Sequence, residues 1–194
     1  RFQYGPDAPR PWQRLRLTPN QISGRYYVGG NNGIILTHWH SGLVLDGDWD
    51  KSQHQFEKYV KYRSCEAHFR DGTPWRETPA MPYGLKRLAA LGKYDACYTE
   101  ADLINRYEAL DGLWHDTIEA GALPARAHSK APRHDCILVH IGRDGTPMFG
   151  NKGFHRLSIA KLAGVKDITV MVGIVHQEAV ENGVYAELCK QFSV

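Results

Sequence analysis

The sequence predicts an α+β fold in which a mixed sheet is interrupted by an all-helical insertion. Three observations carry this. Short alternating or β-branched apolar runs cluster at both ends of the 194-residue chain. Between them, apolar residues recur at three- and four-residue steps, the period of a helix with one buried face. Composition is globular, with 42% hydrophobic, 23% charged and 11% aromatic residues, which excludes a disordered, collagen-like or coiled-coil chain. Two β-bearing segments separated by helices most simply build one core with an insertion. The expected organisation is an N-terminal arm over 1–12, the first half of the core over 13–50, the helical insertion over 51–133, and the second half of the core over 134–194.

Each element follows from local chemistry. Pro6, Pro9 and Pro11 around Gly5 favour an extended arm. Gln13 to Leu17 alternates polar and apolar residues like a half-buried strand, and Thr18-Pro19-Asn20 stops it. Further β-like runs are expected at Arg25 to Val28, Ile34 to His38 and Leu43 to Leu45, with a loop at Gly29-Gly30-Asn31-Asn32-Gly33. From Lys51 the texture becomes helical through Phe56, Tyr59, Val60 and Arg63, ending at Asp71-Gly72. A short helix is expected around Leu85, Leu88, Ala89 and Leu91. Thr99-Glu100-Ala101-Asp102 is a helix start, because Thr99 can cap first-turn amides and Asp102 complements the positive helix end. The stripe Leu103, Tyr107, Leu110, Leu113, Trp114 and Ile118 follows, closed by Gly121 and Pro124, and reads as core. A polar loop over 125–134 leads to the strand Cys136 to Ile141, a hairpin turn at Arg143-Asp144-Gly145 and a return strand from Thr146 to Phe149. Phe154 to Leu162 has helical periodicity and stops at Gly164. Ile168 to Val175 is continuous and β-branched, as a buried central strand requires. A terminal helix spans Gln177 to Phe192, weakened by Gly183.

Charge and cysteine usage narrow the classes of function. Lys and Arg exceed Asp and Glu by 24 to 21, too small a margin to make a polyanion the default partner. No apolar run approaches the roughly 18 residues of a membrane helix, so a soluble protein without a membrane partner is expected. Cys65, Cys97, Cys136 and Cys189 are scattered without a C-x-x-C pair, which fits neither a disulfide scaffold nor a zinc ribbon. Reduced thiols and a cytoplasmic location are expected on that ground.

The segment Gly150-Asn151-Lys152-Gly153-Phe154-His155-Arg156 sits between a predicted strand and a predicted helix. A glycine loop at a helix start can present backbone amides to phosphate, and Lys152, His155 and Arg156 add positive charge. With Ile141-Gly142-Arg143-Asp144-Gly145 before it and Ile168 to Val172 after it, this stretch resembles the second half of the ParB/sulfiredoxin-like superfamily. That core carries a Gly-x-x-Arg-x-x-x-Ala box at a helix start where nucleotide phosphates bind; Gly153, Arg156 and Ala160 match it. Gln13 to Ile22 is similar to the opening strand and turn. The resemblance implies phosphate contacts from Gly153, His155 and Arg156, with Lys152 and Asn151 assisting. Sulfiredoxins carry a nucleophilic cysteine where this chain has Phe154, which argues against sulfinic acid reduction. ParB proteins carry more arginines in the box and a helix-turn-helix after it, which argues against a CTP-gated DNA clamp. What remains resembles the superfamily's free serine kinases.

The second constellation is Asp46-Gly47-Asp48-Trp49-Asp50. On an extended chain alternate residues share a face, so three carboxylates would concentrate charge for a divalent ion or a general base. The spacing also fits an EF-hand loop from Asp46 to Glu57, but Lys51 stands where the invariant glycine belongs. His38 and His40 would share a strand face as a minor metal candidate.

These parts together point to a nucleotide-dependent phosphotransferase or nucleotide hydrolase acting on a small hydroxyl-bearing substrate. The cofactors would be ATP or ADP, with CTP as a further candidate, and Mg2+. Asp48 is the first choice as base or Mg2+ ligand, then Asp50 and Asp46, with Asp46 and Asp48 as the metal pair. The alternative is a ParB-like nucleic-acid-binding or nuclease module, in which the same basic loop meets a DNA phosphate.

Overall fold

The computed structural model describes residues 4–26, 38–51, 53–125 and 136–193. In chain order the strands and α-helices are β1 (Arg14–Leu17), β2 (Ser23–Tyr26), β3 (Val44–Leu45), β4 (Gln53–His54), α1 (Val60–Asp71), α2 (Ala80–Leu91), α3 (Glu100–Ala120), β5 (Ile137–Ile141), β6 (Pro147–Phe149), α4 (Phe154–Leu162), β7 (Ile168–His176), α5 (Gln177–Glu181) and α6 (Val184–Phe192). The architecture is α+β, as the pattern of runs predicts. Two compact units result: Arg1–Phe56 with Ala125–Phe154 and Lys166–Val194, and Glu57–Pro124 with His155–Val165.

The first unit is built on a mixed sheet with the strand order β1-β7-β5-β6-β2-β4. β7 is its centre. It pairs parallel with β5 on one side, and on the other with antiparallel β1 along its first half and parallel β3 at its end. Every β7 residue except Thr169 is buried, which is why the strand reads as an unbroken apolar run. β5 and β6 form the expected antiparallel hairpin, and Gly145 takes φ +81 in its turn. In β1, Leu15 and Leu17 are fully buried while Arg16 faces solvent, the period-two pattern of its sequence.

The N-terminal segment packs instead of extending as an arm. Ala8 and Pro9 are buried, and the Trp12 amide donates to Ser41 Oγ (2.9 Å), which donates in turn to Val172 O (2.5 Å). Prolines that restrict the unfolded chain lower the entropic cost of docking it. The helix expected from Lys51 begins at Val60. Before it, β4 pairs with β2 and a single 3-10 turn covers Phe56–Lys58. Phe56 is fully buried against Phe149 and Phe154, with ring centroids 5.2 and 4.3 Å away, so it serves the sheet unit and not a helix stripe. His38–His40 is also a 3-10 turn, not a strand with two histidines on one face. Of the strand expected at Ile34 to His38, residues 34–37 lie outside the described residues, as do the 29–33 loop, Tyr27 and Val28, and residues 126–134 of the polar loop. The terminal helix divides into α5 and α6 at Gly183, which takes φ +75.

The second unit is helical. Glycines in the left-handed conformation end α1, α2 and α3 at Gly72, Gly92 and Gly121. The predicted start of α3 is a capping box: Thr99 Oγ1 accepts from the Asp102 amide (3.1 Å), and Asp102 Oδ2 accepts from the Thr99 amide (3.0 Å). Gly84 lets α2 approach α3, since a Cβ there would come within 2.5 Å of Leu103. Of the predicted stripe, Leu103 and Tyr107 are buried, Leu110, Leu113 and Trp114 are half-buried, and Ile118 is exposed, so only the N-terminal half of α3 is core; Trp75 lies against Tyr107 and Phe69 stacks on Trp114 at 4.5 Å.

All four cysteines are free thiols, and half-buried Cys136 lies just before β5, which was expected to begin with it. Among the described residues no helix is long and apolar enough to cross a membrane.

Candidate functional site

The segment proposed to hold phosphate is a loop between β6 and α4. The Gly150 amide donates to Leu138 O (2.8 Å) and the Leu138 amide to Lys152 O (3.1 Å), so the loop is pinned to the edge of β5. Asn151 and Gly153 both take positive φ, +68 and +87. At Gly153 a side chain is excluded twice, by φ and because a Cβ would lie 3.1 Å from the Ile137 Cα. The chain then enters α4, and the first turn of any α-helix offers amides that its own carbonyls do not serve. Asn151 is exposed and Lys152 half-buried. Arg156 is half-buried and donates from Nη2 to Pro124 O (2.6 Å). His155 is buried, and desolvation followed by the charge of Lys61 pushes its imidazole down to about 3, so it is neutral at physiological pH.

The aspartate segment does not line three carboxylates along one strand face. β3 stops at Leu45 and the chain bends through residues 46–51, because Asp46 Oδ1 accepts the Gly47 amide (2.6 Å) and Gly47 takes φ +92. Asp50 turns inward, its side chain only 5% exposed. There Arg143 grips it from the β5–β6 turn. The Arg143 amide and Nε donate to Asp50 Oδ2 (2.8 and 2.9 Å), and Nη2 donates to Oδ1 (2.7 Å). The same guanidinium donates to Gly47 O (2.9 Å), Asp48 Oδ1 (3.0 Å) and Glu178 Oε1 (3.2 Å). Burial alone would raise the Asp50 carboxyl, but these bonds hold it below the usual carboxylate range, and Arg143 is driven further toward its charged form.

Asp48 stays outside. Its side chain is 71% exposed, with Lys51 Nζ 2.7 Å from Oδ1, and hydrogen bonds from Lys51 and Arg143 lower its pKa. His176 completes the clasp: Nε2 donates to Gly47 O (2.7 Å) while Nδ1 accepts the Glu178 amide (3.1 Å). Trp49 lies across His176 and edge-on to the buried His140. Arg143, assigned by sequence only to a turn, therefore organises all of this.

No cluster of three or more His, Cys, Asp or Glu side chains suited to a metal occurs among the described residues. Mg2+ that arrives on a nucleotide needs only one or two protein carboxylates. Asp46 and Asp48 are both exposed and each engages only Oδ1, so either could offer one oxygen, whereas both oxygens of Asp50 accept from Arg143.

A third polar cluster, in the helical unit, had no sequence signal. Asp95 Oδ2 accepts from Lys61 Nζ (2.8 Å) and Arg106 Nε (2.9 Å), and the field of this cluster reaches His155. Burial would raise the Asp95 carboxyl, but Lys61 and Arg106 hold it low. Cys65 is buried and pushed up to about 12, so it is no nucleophile.

Comparison of the chain with protein-family models, with curated proteins and with solved structures found no match.

Proposed function

We propose that this protein binds a nucleotide by its phosphates at the β6–α4 turn and transfers a phosphoryl group to a small hydroxyl-bearing acceptor. The observation that carries the reading is the turn itself: a strand, a loop with two left-handed residues, a glycine that tolerates no side chain, and a helix whose first turn bears Arg156; His155, buried and neutral, does not supply the positive charge expected of it. It supports the resemblance to the ParB/sulfiredoxin-like box. In this reading the backbone of Gly153 and the amides that follow hold phosphate oxygens, Arg156 adds a fixed charge, and Lys152 a mobile one.

Phosphoryl transfer depends mostly on positioning and on neutralising charge. The acceptor oxygen bonds to phosphorus as the bond to the departing nucleotide oxygen breaks, and the hydroxyl proton passes to a carboxylate. In this reading Asp48, an exposed carboxylate beside Arg143, takes that role or would hold Mg2+ bound to the phosphates, which requires the bound nucleotide to reach from the start of β5, where the loop pairs with Leu138, to the end that Arg143 follows. A carboxylate held this acidic orients the hydroxyl more than it abstracts the proton early.

Calorimetric titration of ATP, ADP and CTP, each with Mg2+, tests the reading. Binding of at least one is expected, weakened at least tenfold by Arg156→Ala. Asp48→Asn is expected to retain binding and lose turnover. Absence of binding for all three nucleotides overturns the reading.

A further inference from the structure

The Asp95 cluster is built at a cost that nothing in the phosphate-binding reading requires. Tyr94 and Cys97 close a two-residue turn, the Tyr94 amide donating to Cys97 O (3.0 Å) and the Cys97 amide to Tyr94 O (2.8 Å). The central residues are Asp95 at φ +53 and Ala96 at φ +66. Turns of this kind ordinarily use Asn and Gly, and an alanine held left-handed costs about 1–2 kcal/mol. The conformation delivers the Asp95 carboxylate between Lys61 and Arg106, all three partly withdrawn from solvent, with side chains 18%, 21% and 38% exposed.

Three donors are left over. Arg106 spends only Nε on Asp95; its two terminal nitrogens make no hydrogen bond among the described residues. Lys61 spends one of its three protons on Asp95 and lies over the Tyr94 ring. Tyr107 is fully buried, yet its hydroxyl has no hydrogen-bond partner among the described residues, and it lies within the electrostatic reach of Asp95 and Arg106. A buried hydroxyl without an acceptor is costly, and a guanidinium anchored by Nε with its terminal edge open is shaped for two parallel bonds to an oxyanion. With Lys61 and Arg106 positive, Asp95 negative and His155 neutral, the cluster carries one surplus positive charge. One negative charge balances it; two do not.

We infer that the helical unit binds a small carboxylate, gripped by the terminal nitrogens of Arg106, Lys61 Nζ and the Tyr107 hydroxyl, with Asp95 fixing the two cations. The inference stands whether or not nucleotides bind at the β6–α4 turn.

Thermal unfolding in sodium acetate against sodium chloride at equal ionic strength tests it. Where acetate exceeds its Kd about tenfold, the wild-type midpoint should rise by about 3–6 °C over the chloride control. Tyr107→Phe removes only the unserved hydroxyl, so it should unfold no lower than wild type without acetate and lose most of the increment. Arg106→Lys keeps a cation for Asp95 and should lose it too. Arg156→Ala should keep the increment in full. The inference is overturned if acetate does no more than chloride or if Tyr107→Phe retains the whole increment. It is equally overturned if, in the Arg156→Ala background, inorganic phosphate stabilises more than acetate, or if Arg156→Ala abolishes the acetate effect.

Discussion

Acid should destabilise the sheet unit well before its carboxylates titrate, and His140 is the cause. Its ring is fully buried, with Nδ1 accepting the Ile174 amide (3.0 Å). Gly150 and Gly173 leave it room: a Cβ on Gly150 would lie 3.0 Å from Nε2, and one on Gly173 would land on the ring. Burial pushes the imidazole down to about 3, whereas in the unfolded chain it titrates near 6.5. Between those values the unfolded state holds the extra proton, so the contribution is present above about pH 6.5 and is lost as pH falls toward 3. The slope is a little over 1 kcal/mol per pH unit, or roughly 3 kcal/mol by pH 4, against a typical domain stability of about 5–15 kcal/mol. Asp48 and Asp50 have lowered pKa values, so their losses come only below the usual carboxylate range. Urea unfolding followed by tryptophan fluorescence at pH 7, 6, 5 and 4 measures the slope. His140→Asn retains an acceptor near Nδ1 and removes the titration. It should cost about 1–3 kcal/mol at pH 7 through the space it leaves, and then lose less with acid than wild type. His155 acts in the same direction in the helical unit, so the difference between the two proteins is the decisive quantity. Equal slopes for wild type and variant between pH 6 and 4 would refute the reasoning.

Three other outcomes follow from single contacts. Asp50→Asn leaves Arg143 facing an amide in place of a buried carboxylate; a loss of about 2–4 kcal/mol is expected at pH 7, shrinking below the usual carboxylate range where wild-type Asp50 also protonates, measured by urea unfolding at both pH values. Gly153→Ala forces an L-residue to φ +87 against the Ile137 backbone, and calorimetry should show a loss of about 2 kcal/mol or more. Thr99→Ala removes the acceptor for the Asp102 amide at the start of α3 and should cost about 1 kcal/mol by the same measurement, with the sheet unit's hydrogen exchange unchanged.

The legible parts of the fold are those set by local chemistry. The capping box at Thr99, the glycine stops at Gly72 and Gly121, the hairpin at Gly145 and the β-branched run of β7 all depend on neighbours in sequence. What failed was decided by distant partners. Phe56 and Tyr59 have helical spacing with Val60 and Arg63, but Phe56 is claimed by Phe149 and Phe154, and the helix starts only after it. The prolines before Trp12 read as an arm because nothing local shows that Ser41 waits for the Trp12 amide.

The same division explains the sites. The loop between β6 and α4 was visible because its demands, positive φ and a missing Cβ, are written as glycine and asparagine at fixed offsets from a strand and a helix. The fate of the aspartates was not, since alternate spacing describes a strand face only while the chain stays extended, and Gly47 bends it. Arg143 then decides between them: it draws Asp50 inside, shares Asp48 with Lys51 and leaves Asp46 to its own turn, and so turns a row of equivalent carboxylates into one structural anchor and two solvent-facing groups. Asp95 was hidden most completely. Its turn uses Asp and Ala where a sequence reader looks for Asn and Gly, and its partners Lys61 and Arg106 lie on helices whose apolar stripes draw the eye to Tyr107 as core. That hydroxyl is the clue, because a residue used only for packing would serve better as phenylalanine.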